Sequence, residues 1–193
     1  ENTGLYRQFD LRYLQELWVG WPPRAGGRVV EIGCGYGVML PLLAELGYQP
    51  SGCDPSADAV RACRARGLDV VEGTATTAPL SPPFALTLCQ QVIEHVEDPA
   101  AFVRSLVRLT EPGGVVAIVT EDAWSSTFAW QRLKAAARGV RPAFHTSRDH
   151  TFVFSAPHLE RLLREAGCDA VRSRAFGYVP DRKSTRLNSS HGY

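Results

Sequence analysis

Three glycines at alternate positions follow the first strongly apolar run of the chain, and this spacing suits a loop that holds a ligand. The run RVVEI leads directly into Gly33, Gly35 and Gly37. Glycine lets the backbone turn sharply and approach a ligand with no Cβ in the way. The helical pattern that follows would direct its free N–H groups towards that ligand. A dinucleotide fingerprint, G-x-G-x-x-G, would need glycine where the chain has Val38.

Polar side chains also follow the next two apolar runs. Asp54 closes the second run, and Thr74 and Ala75 come shortly after the third. A carboxylate in the position of Asp54 can accept charge-assisted hydrogen bonds from two neighbouring hydroxyl groups of a ligand. The alternative is that Asp54 only caps the helix that follows it.

A third polar group occupies residues 90–99, which read QQVIEHVEDP. Gln91, Glu94 and His95 are spaced i, i+3 and i+4, a spacing that puts three groups on one face of a helix. Carboxylate and imidazole are common metal ligands, but an amide is a poor substitute for a carboxylate towards Mg²⁺. We therefore expect no metal, and we interpret Glu94 and His95 as groups that brace the loop.

Strand-like runs alternate with helical patterns along the chain, which indicates an α/β fold. The predicted strands are 28–32, 49–54, 68–72, 84–89, 115–119 and 168–176, and the predicted helices are 38–46, 56–66, 125–138, one that starts at Asp98-Pro99 and one that Ser155 caps. Continuous apolar strands with helices between them predict a mostly parallel, doubly wound sheet with helices on both faces. Ligands of such sheets bind beyond the carboxyl ends of the strands, where the polar groups above fall.

In combination, these motifs resemble those of the class I S-adenosylmethionine-dependent methyltransferases. Within that class they resemble the small-molecule enzymes related to the ubiquinone-biosynthesis O-methyltransferases. The pattern E-x-G-x-G-x-G from Glu31 is similar to their motif I, and residues 90–99 resemble their E-V-L-E-H-V-x-D-P run. TEPGG at 110–114 and HTFVFS at 150–155 resemble their L-x-P-G-G turn and H-x-x-x-F-S segment. The resemblance covers about 28–176 and implies a Rossmann-like fold.

The resemblance also implies which residues meet the cofactor, S-adenosylmethionine. The glycine loop would pack against its methionine part, Asp54 would accept its ribose hydroxyls, and the segment around Thr74 would meet its adenine. This chain has threonine where the family commonly has an acid, and a hydroxyl can still accept one hydrogen bond. The expected cofactor-binding residues are Glu31, Gly33, Cys34, Gly35, Gly37, Asp54, Pro55, Thr74, Ala75 and Gln90.

The implied activity is methyl transfer to a small-molecule acceptor, with O-methylation favoured over N- or C-methylation. A hydroxyl acceptor benefits from a general base, and a neutral histidine suits that role near pH 7. His95, near the cofactor loop, and His150, in the segment that would cover the acceptor, are the candidate catalytic residues. Each is also compatible with a structural role. In some relatives the E-x-x-E-H run binds a divalent metal, but here Gln91 replaces the first acid.

Between 131 and 150 lies a basic cluster that could hold an anionic acceptor such as a carboxylate or phosphate. The alternative, a solvated helix face, is the interpretation we favour. Two other classes stay open for the chain as a whole. One is a nicotinamide-dependent oxidoreductase, which Val38 disfavours. The other is a non-catalytic relative that binds the cofactor or a protein partner.

Composition bounds the partners and the compartment. The net charge of +1 provides no global attraction to nucleic acid or membrane, and no apolar run approaches the length of a membrane span. The five cysteines are scattered and never spaced C-x-x-C, which argues against disulfides and a thiolate zinc site. We therefore expect a cytoplasmic protein that binds neither nucleic acid nor membrane, and the resemblance implies that it acts on a small molecule.

The domain organisation predicted is one methyltransferase domain over 1–181. It would comprise a lead-in helix at 5–19, a core at 28–120, an acceptor-covering segment at 121–155, and a terminal helix and strand at 155–178. Residues 182–193, RKSTRLNSSHGY, lose hydrophobic periodicity and resemble a translated cloning adapter, so we expect a non-native tail. The resembling fold usually ends with an antiparallel hairpin, and we expect its final strand to be missing.

Overall fold

A computed structural model of the chain describes residues 22–123, 126–140 and 151–174. The predicted lead-in helix at 5–19, His150 and the tail at 182–193 lie outside these residues. Much of the basic cluster, at 141–150, lies outside them as well.

The described residues form one five-stranded sheet in which every pairing is parallel. Its strands are β1 (Arg28–Ile32), β2 (Gln49–Asp54), β3 (Val70–Glu72), β4 (Phe84–Gln90) and β5 (Thr110–Val119). Their order across the sheet is β3-β2-β1-β4-β5, so the chain reverses direction across the sheet between β1 and β4. That reversal is where ligands of open parallel sheets bind.

The described residues contain five α-helices, and the first three of them connect strands of the sheet. They are α1 (Met39–Glu45), α2 (Ala57–Ala65), α3 (Pro99–Leu109), α4 (Ser126–Ala137) and α5 (Ala156–Glu165). Asp98 Oδ1 accepts from Ala101 N at 2.9 Å, as expected of a helix cap. Ser56 Oγ also accepts from Ala59 N at 3.3 Å, a cap that was not predicted. Ser155 stands at the N-cap position of α5, but its side chain makes no capping hydrogen bond, so the prediction that it caps this helix is wrong. None of the helices in the described part of the chain is long and apolar enough to cross a membrane.

Two apolar layers cover opposite faces of the sheet. On one face, Val29 and Leu88 pack with α1 and α2 through side chains such as Leu43. On the other, Val30 and Ile32 pack with Leu106 of α3. Because neighbouring residues of β1 serve opposite faces, the strand must be apolar almost throughout, as its sequence is. The prediction of a Rossmann-like sheet covered on both faces is confirmed.

Two predicted strands, at 115–119 and at 168–176, differ most from the structure. β5 begins at Thr110 rather than at 115, because its register against β4 slips between Phe84 and Leu86 and takes the Pro-Gly-Gly turn into the strand. Residues 168–174 form no strand, although a strand was expected at 168–176. Most of their side chains are exposed, so this stretch lacks the apolar face that would hold it to the sheet. The described part of the sheet contains no antiparallel strand.

Candidate active site

The glycine loop after β1 is fixed by the neighbouring strand. Gly33 N and Cys34 N both donate to the carbonyl oxygen of Cys53 on β2, at 2.8 and 3.1 Å. Gly33 has φ +71°, and a Cβ added there would lie 2.4 Å from Cγ2 of Val92. Only glycine therefore fits at this position, because both the backbone conformation and the packing exclude a side chain.

Gly35, two residues further on, faces open space. Its φ is +50°, and a Cβ added there would meet no protein atom within 4 Å. The loop thus presents bare backbone on the side away from the sheet. Such a surface lets a ligand approach the main chain closely, which is the property that the alternate glycines predicted.

Asp54 joins the end of β2 to this loop. Its Oδ2 accepts from Gly35 N at 2.8 Å, and its Oδ1 accepts from Ser56 N at 2.8 Å. The side chain of Ser56, not that of Asp54, caps α2, so the interpretation of Asp54 as a helix cap is wrong. Each carboxylate oxygen keeps a further lone pair, so Asp54 can still accept from two ligand hydroxyls. Pro55, beside it, is exposed.

Glu31 and Gln90 meet where the chain reverses across the sheet. Gln90 Nε2 donates to Glu31 Oε1 at 3.3 Å, while Glu31 Oε2 is buried and without a hydrogen-bond partner within the described structure. The Glu31 side chain is only 4% exposed. Burial raises the pKa of Glu31 to about 8, the bond from Gln90 lowers it in part, and the nearby Asp54 carboxylate raises it.

Thr74 follows β3 beside Asp54, since Gly73 N donates to the Asp54 carbonyl oxygen at 3.0 Å. Its hydroxyl is already engaged in a local turn, 3.1 Å from Thr76 Oγ1 and 3.0 Å from Thr77 Oγ1. Thr74 is exposed, whereas Ala75 is buried in the layer that contains Phe84. The Thr74 hydroxyl can still accept a hydrogen bond from a ligand, although it already takes part in the hydrogen bonds of the local turn.

The three residues with metal-ligand spacing do not share a face. Residues Ile93–His95 form one turn of 3₁₀-helix, and Gln91 before it has φ +51°. Glu94 is 1% exposed, whereas Gln91 and His95 are exposed. The i, i+3, i+4 argument required an α-helix and is wrong here. Within the described ranges no three His, Cys, Asp or Glu side chains are grouped so that they could hold a metal ion.

Glu94 instead connects three parts of the chain. Its Oε2 accepts from Thr120 Oγ1 at 2.8 Å, and its main-chain carbonyl accepts from Thr151 N at 2.8 Å and from Phe152 N at 3.2 Å. These bonds join the loop after β4 to the end of β5 and to the last part of the predicted covering segment. This agrees with a bracing role for Glu94. Thr120 was not anticipated, although its place directly after β5 is where site residues of such sheets fall.

The cysteines pack as small apolar side chains. All five are free thiols, and Cys34, Cys53, Cys63 and Cys89 are buried. Burial raises the pKa of Cys53 to about 11, so its thiol stays neutral near pH 7. Cys34, in the glycine loop, is thus a buried thiol that packs against its surroundings, as Cys53 on β2 does.

A parallel sheet of order 3-2-1-4-5, a glycine loop after β1 and an acid at the end of β2 are the features of a Rossmann-like nucleoside-binding domain. Residues 6–173 match the family model described as "Methyltransferase domain". The chain belongs to this family and is an S-adenosylmethionine-dependent methyltransferase. The nicotinamide-dependent alternative is therefore wrong.

Individual relatives agree with this assignment. The ubiquinone biosynthesis O-methyltransferase of Methylococcus capsulatus is 32% identical over 87% of this chain and 74% of its own length. The enzyme of the same name from Thiobacillus denitrificans is 28% identical over 97% of this chain and 84% of its own length. Among solved structures, a Thermotoga maritima S-adenosylmethionine-dependent methyltransferase, described as a possible histamine N-methyltransferase, aligns with a TM-score of 0.63. It is 27% identical over 86% of this chain and 72% of that one.

Proposed function

We propose that the chain methylates a hydroxyl group of a small-molecule acceptor, with S-adenosylmethionine held at the carboxyl ends of β1, β2 and β4. The observation that carries this proposal is the arrangement of Gly35, Asp54 and Glu31. Bare backbone, a carboxylate with free lone pairs and a buried carboxyl group with an unpartnered oxygen lie around one loop. These are the groups that a nucleoside bearing an amino acid and a positive charge needs.

Each group has a distinct task in this proposal. Asp54 accepts the two ribose hydroxyls, and the loop of Gly33, Cys34, Gly35 and Gly37 packs against the methionine part. Glu31, held by Gln90, contributes negative charge. Pro55, Thr74 and Ala75 line the nucleoside end. The cofactor supplies an electrophilic methyl group when bound, and the residues around it must align the acceptor and exclude water.

Oxygen is proposed as the methylated atom because relatives about 30% identical are named O-methyltransferases. A hydroxyl acceptor must lose its proton as the new C–O bond forms, and a neutral imidazole can take it. His95, exposed beside the loop after β4, is one candidate base. His150, outside the described residues, is the other, and Thr151 next to it contacts the Glu94 carbonyl.

The remaining features of the proposal concern the setting of the enzyme. We propose a single domain over 1–181, with 182–193 as a non-native tail, that works in the cytoplasm on a small molecule rather than on nucleic acid or membrane. The five free thiols support a reducing compartment.

The test is transfer of radiolabelled methyl from S-adenosylmethionine to two matched panels, small phenols and catechols in one and primary and secondary amines in the other. We expect label in the hydroxyl panel, and loss of that label with Asp54→Ala. Label in the amines alone would overturn O-methylation. Cofactor binding without transfer to any acceptor in either panel or in a cell extract would favour a non-catalytic relative. Near-normal turnover of His95→Ala or His150→Ala would remove that histidine from the mechanism.

A further inference from the structure

The carboxyl group of Glu31 is only half satisfied. Oε1 accepts a bond from Gln90, whereas Oε2 is buried and unpartnered within the described residues. An ionised carboxylate in this setting would leave a charge out of water with too few donors, which is costly. The neutral acid is the form that this surrounding favours, in accord with a pKa raised to about 8.

The charged groups around Glu31 act in the same direction. Asp54, at the end of β2, repels a second negative charge. Among the described side chains no lysine, arginine or histidine forms an ion pair with Glu31 or Asp54. Within the part of the chain that the structure describes, the site therefore holds two acids that form no ion pair with a cation.

The other titratable groups that interact with Glu31 are thiols. They are Cys34 in the glycine loop, Cys63 on α2 and Cys89 on β4. Burial raises the pKa of each thiol above its ordinary value, so all three stay neutral near pH 7. A change in the charge of this site between about pH 6 and 8 is therefore assigned to Glu31.

We propose that cofactor binding is linked to a proton at Glu31: the buried acid releases its proton to solvent when the positively charged S-adenosylmethionine enters. The O–H bond of the acid breaks, the proton passes to the buffer, and the carboxylate left behind is compensated by the positive charge of the ligand. The inference rests on the proposed cofactor site. It adds that binding tightens as pH rises, because the competing proton is removed.

Calorimetry in two buffers tests this directly. S-adenosylmethionine is titrated into the protein at pH 6.5 in phosphate and in imidazole, whose ionisation enthalpies differ, so that the difference in heat counts the protons released. The α-amino group of the ligand is almost fully protonated at this pH, since such groups have pKa values of about 7.7–8. We expect about one proton released per cofactor bound, and about tenfold tighter binding per pH unit from about pH 6 to 7.5.

Glu31→Gln removes the titrating group at nearly constant shape, and its proton count should fall to about zero. The matched control is Glu94→Gln, the same change at the other buried glutamate, which should leave the count unchanged. Equal binding heats in both buffers would overturn the proton linkage, as would a number of released protons that is unchanged in Glu31→Gln. Either result would still be consistent with the proposed cofactor site. Should Glu31→Gln not fold, the two-buffer comparison on the unaltered chain still decides. No binding by folded protein would overturn the cofactor site and this inference together.

Discussion

The main-chain N–H of Gly35 donates a 2.8 Å hydrogen bond to Oδ2 of Asp54, and this bond joins the glycine loop to the end of β2. The same side chain accepts from Ser56 N through its other oxygen. Asp54 thus holds the loop in place, and each of its oxygens keeps a lone pair that a ligand hydroxyl can use. Positioning and ligand recognition are therefore combined in one carboxylate.

Asp54→Ala should weaken binding of S-adenosylhomocysteine by about 1–3 kcal/mol, since hydrogen bonds to a charged group and the anchor of the loop are lost together. Isothermal calorimetry measures the change. Ser56→Ala is the matched control, because it removes the cap of α2 and should cost about 1 kcal/mol of stability without changing affinity. Equal loss of affinity in both variants would show that Asp54 acts only through the fold.

Gly35→Ala and Gly67→Ala form a second matched pair. Both glycines have positive φ, and a Cβ at either would meet no protein atom within 4 Å. Each substitution should therefore cost about 1 kcal/mol of stability for the left-handed backbone. Only the methyl group at 35 would face the proposed cofactor and clash with it. Gly35→Ala alone should therefore weaken cofactor binding, by about tenfold or more. Thermal unfolding measures the loss of stability and calorimetry measures the loss of affinity. Unchanged affinity of Gly35→Ala would contradict the placement of the cofactor against Gly35.

The sequence was sufficient where structure depends on neighbouring residues. The apolar run of β1, the glycines that follow it and the cap at Asp98 are local signals, and each has the predicted outcome. The sheet order then brings the end of β1 beside the ends of β2 and β4, so Glu31, Asp54 and Gln90 come together as expected.

Features that depend on distant contacts were not predictable in this way. The pairing of β4 with β5 brings Thr120 to Glu94, and no spacing in the sequence marks that contact. The left-handed φ of Gln91 breaks the helical spacing on which the metal argument rested. The burial of Glu31 beside Asp54 is likewise a property of the assembled sheet, so its raised pKa could not be read from residue types.

Chelation should leave the enzyme intact. One carboxyl oxygen of Glu94 accepts a hydrogen bond from Thr120 and the other is buried, while His95 and Gln91 are exposed. We therefore expect dialysis against EDTA to change neither S-adenosylhomocysteine affinity nor methyl transfer. Loss of transfer that added Mg²⁺ restores would show that a cation rearranges this loop.

Thr120→Val should destabilise the fold by about 1–3 kcal/mol, because it removes the hydroxyl donor of a buried carboxylate at nearly constant volume. Urea denaturation measures the loss. Thr76→Val, at an exposed position, is the control and should change stability by about 0.5 kcal/mol or less. If both variants are as stable as the parent, the bond between Thr120 and Glu94 contributes nothing to the fold.

Stability should depend on pH through Glu31. Its pKa rises from 4.5 to about 8 on folding, so the folded state binds the proton more tightly than the unfolded state between these values. The stabilisation is fully present below about pH 4.5 and is lost as pH rises through 8, because the unfolded glutamate ionises freely while the folded one cannot. The total is about 5 kcal/mol at most.

Urea denaturation of ligand-free protein at pH 5, 6, 7 and 8 checks this dependence, with Glu31→Gln as the reference that lacks the group. The free energy of unfolding of the parent should fall relative to the variant by about 1 kcal/mol or more per pH unit in the middle of this range. Parallel curves for the two proteins would mean that Glu31 is already ionised in the folded state. Added S-adenosylmethionine should flatten the difference, since the ionised carboxylate then has a positive partner.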